Sequence, residues 1–175
     1  MTLACIFGCA GLTLSVAERD FFRDVQPWGF IVFKRNIDSP DQVRRLTDSL
    51  RETVDRPDAP ILIDQEGGRV QRMGPPHWPV YPPSRAYGRV AGGLFAQRET
   101  ARLGARLIAY DLAAVGINVD CVPVLDVPAA DGHEIIGDRA YGADAETIAV
   151  LGRAAAEGMI AGGVLPVIKH IPGHG

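Results

Sequence analysis

Polar residues cluster at one kind of place in this sequence, the ends of short apolar runs. Lys34-Arg35-Asn36 follows Gly29-Phe30-Ile31-Val32-Phe33, and the stretch from Asp64 to Arg72 follows Pro60-Ile61-Leu62-Ile63. Asp126 closes the run from Ile117, Lys169-His170 closes the run from Val164, and Arg139 lies in the loop after the fourth run. Solvent exposure alone accounts for Lys34, Arg35 or Asp126 taken singly. It accounts poorly for a Lys beside a His at the end of an apolar strand, or for Asp64-Gln65-Glu66 directly after Ile-Leu-Ile. The chemistry of the set suits a neutral, polyhydroxylated ligand. A carboxylate such as Asp64 accepts two hydroxyl protons, and Arg72 and Arg139 donate in a forked geometry. Lys169 and His170 add donors, and Gly67-Gly68 lets the backbone approach a ligand closely. The set contains no obvious nucleophile–base pair.

Several other chemistries are absent or weak. The sequence has no G-x-G-x-x-G fingerprint, no G-x-x-x-x-G-K-[ST] phosphate loop and no G-x-S-x-G nucleophile elbow. His133-Glu134 begins like a zinc-protease helix but lacks the second His. His170 and His174 have the spacing of a helical metal pair, but Pro172 and Gly173 between them disfavour that helix. A metal site on a loop stays as an alternative there; the expectation is no metal and no cofactor.

The elements that position these residues follow from periodicity. Leu3–Phe7 reads as a buried first strand, and Ser15-Val16-Ala17-Glu18 has the form of a capping box opening a short helix. Gly29–Phe33 is a second strand. Ser39 and Gln42 suggest another box around Pro40, followed by a helix with Val43, Leu46, Leu50 and Val54 on one stripe. The third strand, 60–64, leads into a Pro-rich connection from Gly74 to Pro83, then a helix from about Arg98 to Val115 stopped by Gly116. Ile117–Asp126 is a fourth strand, Asp144 caps a helix carrying Ile148, Leu151, Ala155 and Met159, and Val164–His170 is a fifth strand. Strand and helix in alternation imply a parallel sheet covered by helices, either a doubly wound layer or part of a barrel.

Composition bounds the rest. At 175 residues, net charge −3 and 47% hydrophobic, the chain has the material for one core. With no Lys/Arg stripe it excludes a nucleic-acid groove, and no apolar run reaches the roughly 20 residues of a membrane span. Its apolar start lacks the basic segment of a secretion signal. An odd number of cysteines, three, argues against a disulfide framework and for a reducing, cytoplasmic setting.

The segments Asp64-Gln65-Glu66-Gly67-Gly68-Arg69-Val70-Gln71-Arg72, Gly137-Asp138-Arg139-Ala140-Tyr141-Gly142 and Lys169-His170-Ile171-Pro172-Gly173-His174-Gly175 resemble bacterial β-N-acetylhexosaminidases of glycoside hydrolase family 3. Phe33-Lys34-Arg35-Asn36 and Pro123-Val124-Leu125-Asp126 fit in order, so the resemblance covers the whole chain. Ile171, where the family often has Phe, and Asp138, where it often has Asn, are departures. The resemblance implies an α/β fold, the N-terminal five-strand portion of a (β/α)8 TIM-type barrel, with residues 1–175 as the first part of a single catalytic domain. A complete barrel of this kind typically needs about 250 residues. The resemblance further implies a retaining glycosidase that removes terminal N-acetylglucosamine from cell-wall muropeptide fragments in the cytoplasm, as a monomer when full length and without a cofactor. By position, Asp64, Arg72, Arg139, Lys169 and His170 resemble the residues that hold the non-reducing sugar. No catalytic residue is expected within the chain. The family's His–Asp acid/base pair and nucleophilic Asp fall beyond Gly175, and His174 precedes that His. The alternative is a non-catalytic, sugar-binding half-barrel, completed by a second copy through its open strand edges.

Overall fold

The structure is a computed structural model that describes residues 1–129 and 134–174. In chain order the described residues form β1 (Leu3–Phe7), α1 (Val16–Val25), β2 (Pro27–Ile31), α2 (Pro40–Thr53), β3 (Ile61–Ile63), β4 (Gln65–Gly67), β5 (Val70–Gln71), α3 (Ser84–Tyr87), α4 (Gly93–Ala114), β6 (Val119–Asp120), α5 (Ala145–Ala161) and β7 (Leu165–Pro166). Five strands make one sheet in the order β1-β2-β3-β6-β7, each neighbouring pair parallel, while β4 and β5 pair with each other as an antiparallel hairpin. A doubly wound sheet reverses its strand order at a switch point. Here each strand of the main sheet adds beside the last, so the sheet is an arc of a barrel, and all its strand ends face one rim.

Local chemistry explains most of the helices. Ser15 Oγ accepts from the Glu18 N–H at 3.2 Å while Glu18 accepts from the Ser15 N–H at 2.9 Å, the reciprocal box expected for α1. The stripe Val43, Leu46, Leu50 and Val54 of α2 is buried, as is Ile148, Leu151, Ala155 and Met159 of α5, and Asp144 caps α5 through the Thr147 N–H at 2.8 Å. The second capping box does not form. Gln42 instead accepts from the Asp38 N–H and donates to the carbonyls of Leu12 and of the buried Asn36. α4 begins at Gly93, earlier than the apolar pattern indicated, and ends as expected before Gly116 at φ +80°.

The strands are shorter than the apolar runs. Val122-Pro123 interrupts the fourth run because proline offers no N–H to the ladder, and pairing resumes only as an isolated bridge between Val124 and Lys169. The fifth run likewise keeps ladder geometry only at Leu165–Pro166. β2 starts two residues before the expected strand and stops at Ile31, where Phe33 turns into a 3-10 turn over Lys34–Asn36. The first strand is not buried. β1 is a sheet edge with Leu3 52% and Ile6 42% exposed, and Leu165 and Ile168 are exposed at the other edge.

α4 and α5 pack so closely that a Cβ on Gly158 would stand 2.1 Å from the Arg102 carbonyl oxygen. Backbone cannot yield as a flexible side chain would, so Gly158→Ala should destabilise by about 2 kcal/mol. In a chain of this size that lowers Tm by roughly 4–8 °C in a thermal melt; an unchanged Tm would show that the two helices can slide apart freely.

The three cysteines are free. Burial, with the nearby Asp64 charge, pushes the Cys121 thiol up to about 11, and burial raises Cys9, so neither is a reactive thiolate. Among the described residues no helix is long and apolar enough to cross a membrane.

Candidate active site

The rim where β3, β6 and β7 end gathers the residues singled out in the sequence. Asp64 leaves β3 and the chain at once doubles back through the β4–β5 hairpin. Gln65, buried beneath it, locks that hairpin. Its Oε1 accepts from the N–H groups of Arg72 at 2.9 Å and Met73 at 3.0 Å, and its Nε2 donates to the Met73 carbonyl at 2.8 Å. Gly67 and Gly68 turn the hairpin at positive φ. The close approach they permit is to the protein itself. A Cβ on Gly67 would lie 2.3 Å from the Pro82 oxygen, and Gly68 N–H donates to Tyr81 O at 2.8 Å. The Pro-rich segment therefore packs on the glycine pair where a ligand was expected.

Charges from three stretches of the chain interlock above this platform. Lys169 Nζ, at the end of the fifth run, bonds Asp64 Oδ1 at 2.9 Å and Glu66 Oε1 at 2.6 Å. Arg72 Nη2 bonds the other Asp64 oxygen at 3.1 Å, and its buried Nε has no hydrogen-bond partner. Arg139 grips Glu66 with both arms, Nε to Oε2 and Nη2 to Oε1, each at 2.8 Å. Burial raises the Asp64 carboxyl, but hydrogen bonds and charge from Lys169, then Arg72, outweigh it and hold the group below the usual carboxylate range. Lys169 is moved oppositely. Burial would lower it, yet Glu66 and then Asp64 hold its ammonium above the ordinary value. Glu66 keeps the Arg139 guanidinium charged against the opposing effect of burial.

The histidine end is built on a second carboxylate. Asp126, buried, holds His170 Nδ1 at 2.5 Å through Oδ2 and accepts the His174 backbone N–H at 2.6 Å through Oδ1. Burial pushes Asp126 up, and these two partners bring it below the usual range. The Nδ1 contact fixes the His170 ring and leaves Nε2 as its other polar atom. The His170 and His174 rings meet edge to face with centroids 5.3 Å apart. Among the described residues no group of three or more His, Cys, Asp or Glu is arranged to hold a metal ion, and His133 lies outside the described residues.

Four of the five residues predicted to share a site, Asp64, Arg72, Arg139 and Lys169, meet in one ion network, while His170, next in sequence to Lys169, is held separately on Asp126. Of the Lys34-Arg35-Asn36 group, only Lys34 reaches that network, donating to the Arg72 carbonyl at 3.3 Å. Arg35 lies over the Phe33 ring and donates to Cys9 O, and Asn36 is buried on the carbonyls of Cys9 and Gly11.

Residues 13–175 match the glycosyl hydrolase family 3 N terminal domain. The chain belongs to glycosyl hydrolase family 3. It is 42% identical over 172 residues to the beta-hexosaminidase of Methylococcus capsulatus, covering 97% of this chain and 49% of that protein. It is 38% identical to the beta-hexosaminidase of Xylella fastidiosa, covering 97% of this chain and 50% of that protein. NagZ from Neisseria gonorrhoeae in complex with N-trifluoroacetyl-D-glucosamine superposes with TM-score 0.90 at 31% identity, over 97% of this chain and 50% of that one. The chain thus spans about half the length of the curated relatives it matches.

Within this family 3 chain, three buried carboxyls organise the site beyond what the strand-end pattern indicated. Glu66 joins Arg139 to Lys169, and Asp126 holds His170. Asp120, fully buried in β6, accepts the Gln65 N–H at 2.9 Å between Asp64 and Glu66, while its Oδ2 has no partner. Glu66 and Asp126 were visible as polar residues at strand ends, but nothing local distinguishes a carboxylate that grips cations from one that grips a ligand. Asp120 sits inside an apolar run, where a lone acid was itself the available signal.

Proposed function

We propose that this chain provides the sugar-holding half of a β-N-acetylhexosaminidase that removes terminal, non-reducing, β-linked N-acetylglucosamine from peptidoglycan fragments in the cytoplasm, with retention of configuration. The observation that carries the reading is the convergence of Asp64, Arg72, Lys169, Arg139 and His170 on one rim of a barrel arc. It is a set of charged donors and acceptors suited to sugar hydroxyls, at the strand ends where barrel active sites assemble. The beta-hexosaminidase names of the relatives, and the glucosamine derivative bound to the Neisseria NagZ, favour an N-acetylhexosamine.

In this reading the acid/base and the nucleophile come from other parts of the enzyme. Each carboxylate at the rim is already engaged. Asp64 holds Lys169 and Arg72, Glu66 holds Arg139 and Lys169, and Asp126 holds His170. Asp64 and Asp126, held as ions by these partners, are weak bases and weak nucleophiles, and Glu66 has both oxygens occupied by cations, so these groups bind and orient. Asp64, flanked by two cations, accepts hydroxyls, and His170 offers Nε2 as a further polar atom.

Calorimetric titration of the 175-residue chain with N-acetylglucosamine should show saturable binding, and Asp64→Ala should weaken it about 100-fold. Removing a charged acceptor costs about 1.5–3 kcal/mol for one hydrogen bond, and here both oxygens are placed to serve. An aryl N-acetylglucosaminide should not be turned over by this chain alone. Turnover would contradict the placement of catalytic groups elsewhere, and a folded chain without sugar binding would overturn the reading. The second reading, a sugar-binding half-barrel without catalysis, is favoured by the same saturation of the rim carboxylates. It predicts that a longer product of the same gene also binds without turnover.

A further inference from the structure

Arg139 comes from a segment with little structure of its own. Residues 134–140 contain one 3-10 turn, Gly137–Arg139, closed by a single backbone bond from Arg139 N–H to Ile136 O at 2.9 Å. Its apolar anchorage is a satellite of three residues, Val124, Ile136 and Ala140, outside the main core. Ile136 and Ala140 are fully buried and Arg139 Nη1 donates to Ile135 O at 3.1 Å, but these contacts alone do not set the direction in which Arg139 meets Glu66 with both arms. The missing constraint comes from two other arginines that grip the segment's backbone from the elements on either side.

Arg69, in the turn of the β4–β5 hairpin, brings Nη2 against the carbonyl oxygens of Glu134, Ile135 and Ile136 at 2.9, 2.7 and 3.2 Å, and Nε to Asp138 at 3.3 Å. Arg85, in α3, donates from Nε to Ala140 O at 3.0 Å and from Nη2 to Gly137 O at 3.3 Å. The two guanidiniums together occupy carbonyls at both ends of the Arg139 turn. The hairpin and the segment also exchange cations reciprocally. The hairpin offers Glu66 to Arg139 and receives Asp138 and three carbonyls for Arg69, so neither can shift without straining the other pair. Arg69 holds the three carbonyls through Nη2 and Asp138 through Nε, and Arg85 likewise uses two separate nitrogens, a span that the single nitrogen of a lysine ammonium does not cover.

We propose that Arg69 and Arg85 are positioning residues, a guanidinium clamp that fixes the height and orientation at which Arg139 is delivered to Glu66 and the sugar subsite. The sugar-binding consequence rests on the function proposed above; the clamp itself is read without any sugar. The test uses 15N NMR of the Arg139 Nε–H, assigned by its loss in Arg139→Lys, together with titration by N-acetylglucosamine, in wild type, Arg69→Ala, Arg69→Lys and the milder Arg85→Lys. The clamp predicts that each variant, still folded, moves the Arg139 Nε–H signal toward its position in Glu66→Gln. It also predicts affinity for N-acetylglucosamine falling about tenfold for Arg69→Ala, with little rescue by lysine. An Arg139 signal unchanged in Arg69→Ala and Arg85→Lys overturns the proposal, as does a variant with lowered Tm but the wild-type signal, which marks a merely structural role. A wild type that binds no sugar while its Arg139 signal still responds to Arg69 and Arg85 overturns the functional reading and leaves the clamp standing.

Discussion

Glu66→Ala should eliminate measurable N-acetylglucosamine binding and destabilise the fold by about 3 kcal/mol, a Tm decrease of roughly 6–12 °C. The magnitude follows from what the carboxylate separates. Its Oε1 is shared by Lys169 Nζ at 2.6 Å and Arg139 Nη2 at 2.8 Å, and its Oε2 takes Arg139 Nε at 2.8 Å. The Glu66 side chain is 2% exposed, and those of Lys169 and Arg139 are 14% and 13% exposed. Without Glu66 two poorly hydrated cations face each other, Arg139 loses its bidentate partner, and among the described residues Lys169 is left to Asp64. Removing one member of a buried pair costs far more than the pair is worth against an apolar replacement, because the survivor keeps its desolvation penalty. Glu66→Gln keeps the shape and one acceptor but sets an amide N–H against a cation, so its losses should be intermediate. The exposed helix pair Arg153–Glu157 is the matched control, since solvent screens it and its removal should pass unnoticed. Thermal melts and sugar titration on the three variants check the order. A Glu66→Ala protein with wild-type Tm and affinity would mean that the network is incidental.

The contrast between Glu66 and Asp64 shows where sequence reasoning stops. Periodicity located the stripe of α2 and the cap of α5 because helix burial and capping are decided within one or two turns of chain. The rim was legible for a related reason: a carboxylate or ammonium directly after an apolar strand must lie at the sheet's edge, whatever follows. Strand length was less legible, since Pro123 interrupts pairing inside a run whose apolar character continues, and the fifth run pairs regularly only over Leu165–Pro166. Partner choice was not legible at all. Arg139 finds Glu66 across 73 positions and Lys169 finds Asp64 across 105, and Arg69 and Arg85 work through carbonyl oxygens that leave no mark on side-chain identity. The same limit explains the glycine pair. Gly67-Gly68 announced a close approach, but only the fold shows that Pro82 and Pro83 make it.

Asp120 supplies the second large effect, and its sign is opposite to that of its neighbours. Burial raises its carboxyl well above the usual range, the charges of Asp64 and Glu66 add to that, and the Gln65 N–H and the Lys169 charge offset only part. A carboxyl with a raised folded pKa holds a proton that the unfolded chain releases. It therefore favours folding fully below the unfolded value of about 4, and that contribution is lost as pH rises toward the folded value. Asp64 and Asp126, whose folded values are lowered, contribute above about 4 and lose that contribution as pH falls through their folded values. Asp120→Asn removes the first dependence and keeps the second. The variant should gain stability relative to wild type as pH rises above about 4 toward the raised folded value, while still accepting the Gln65 N–H through its amide oxygen. Urea midpoints at several pH values across that interval check the slope. A constant difference, or a variant that weakens at high pH, would mean that Asp120 is ionised in the folded protein and that its unpartnered Oδ2 has a cationic partner. With the predicted slope, the acid beneath the rim is neutral, and the charges that answer Lys169, Arg72 and Arg139 are those of Asp64 and Glu66 in contact and of Asp126 farther off.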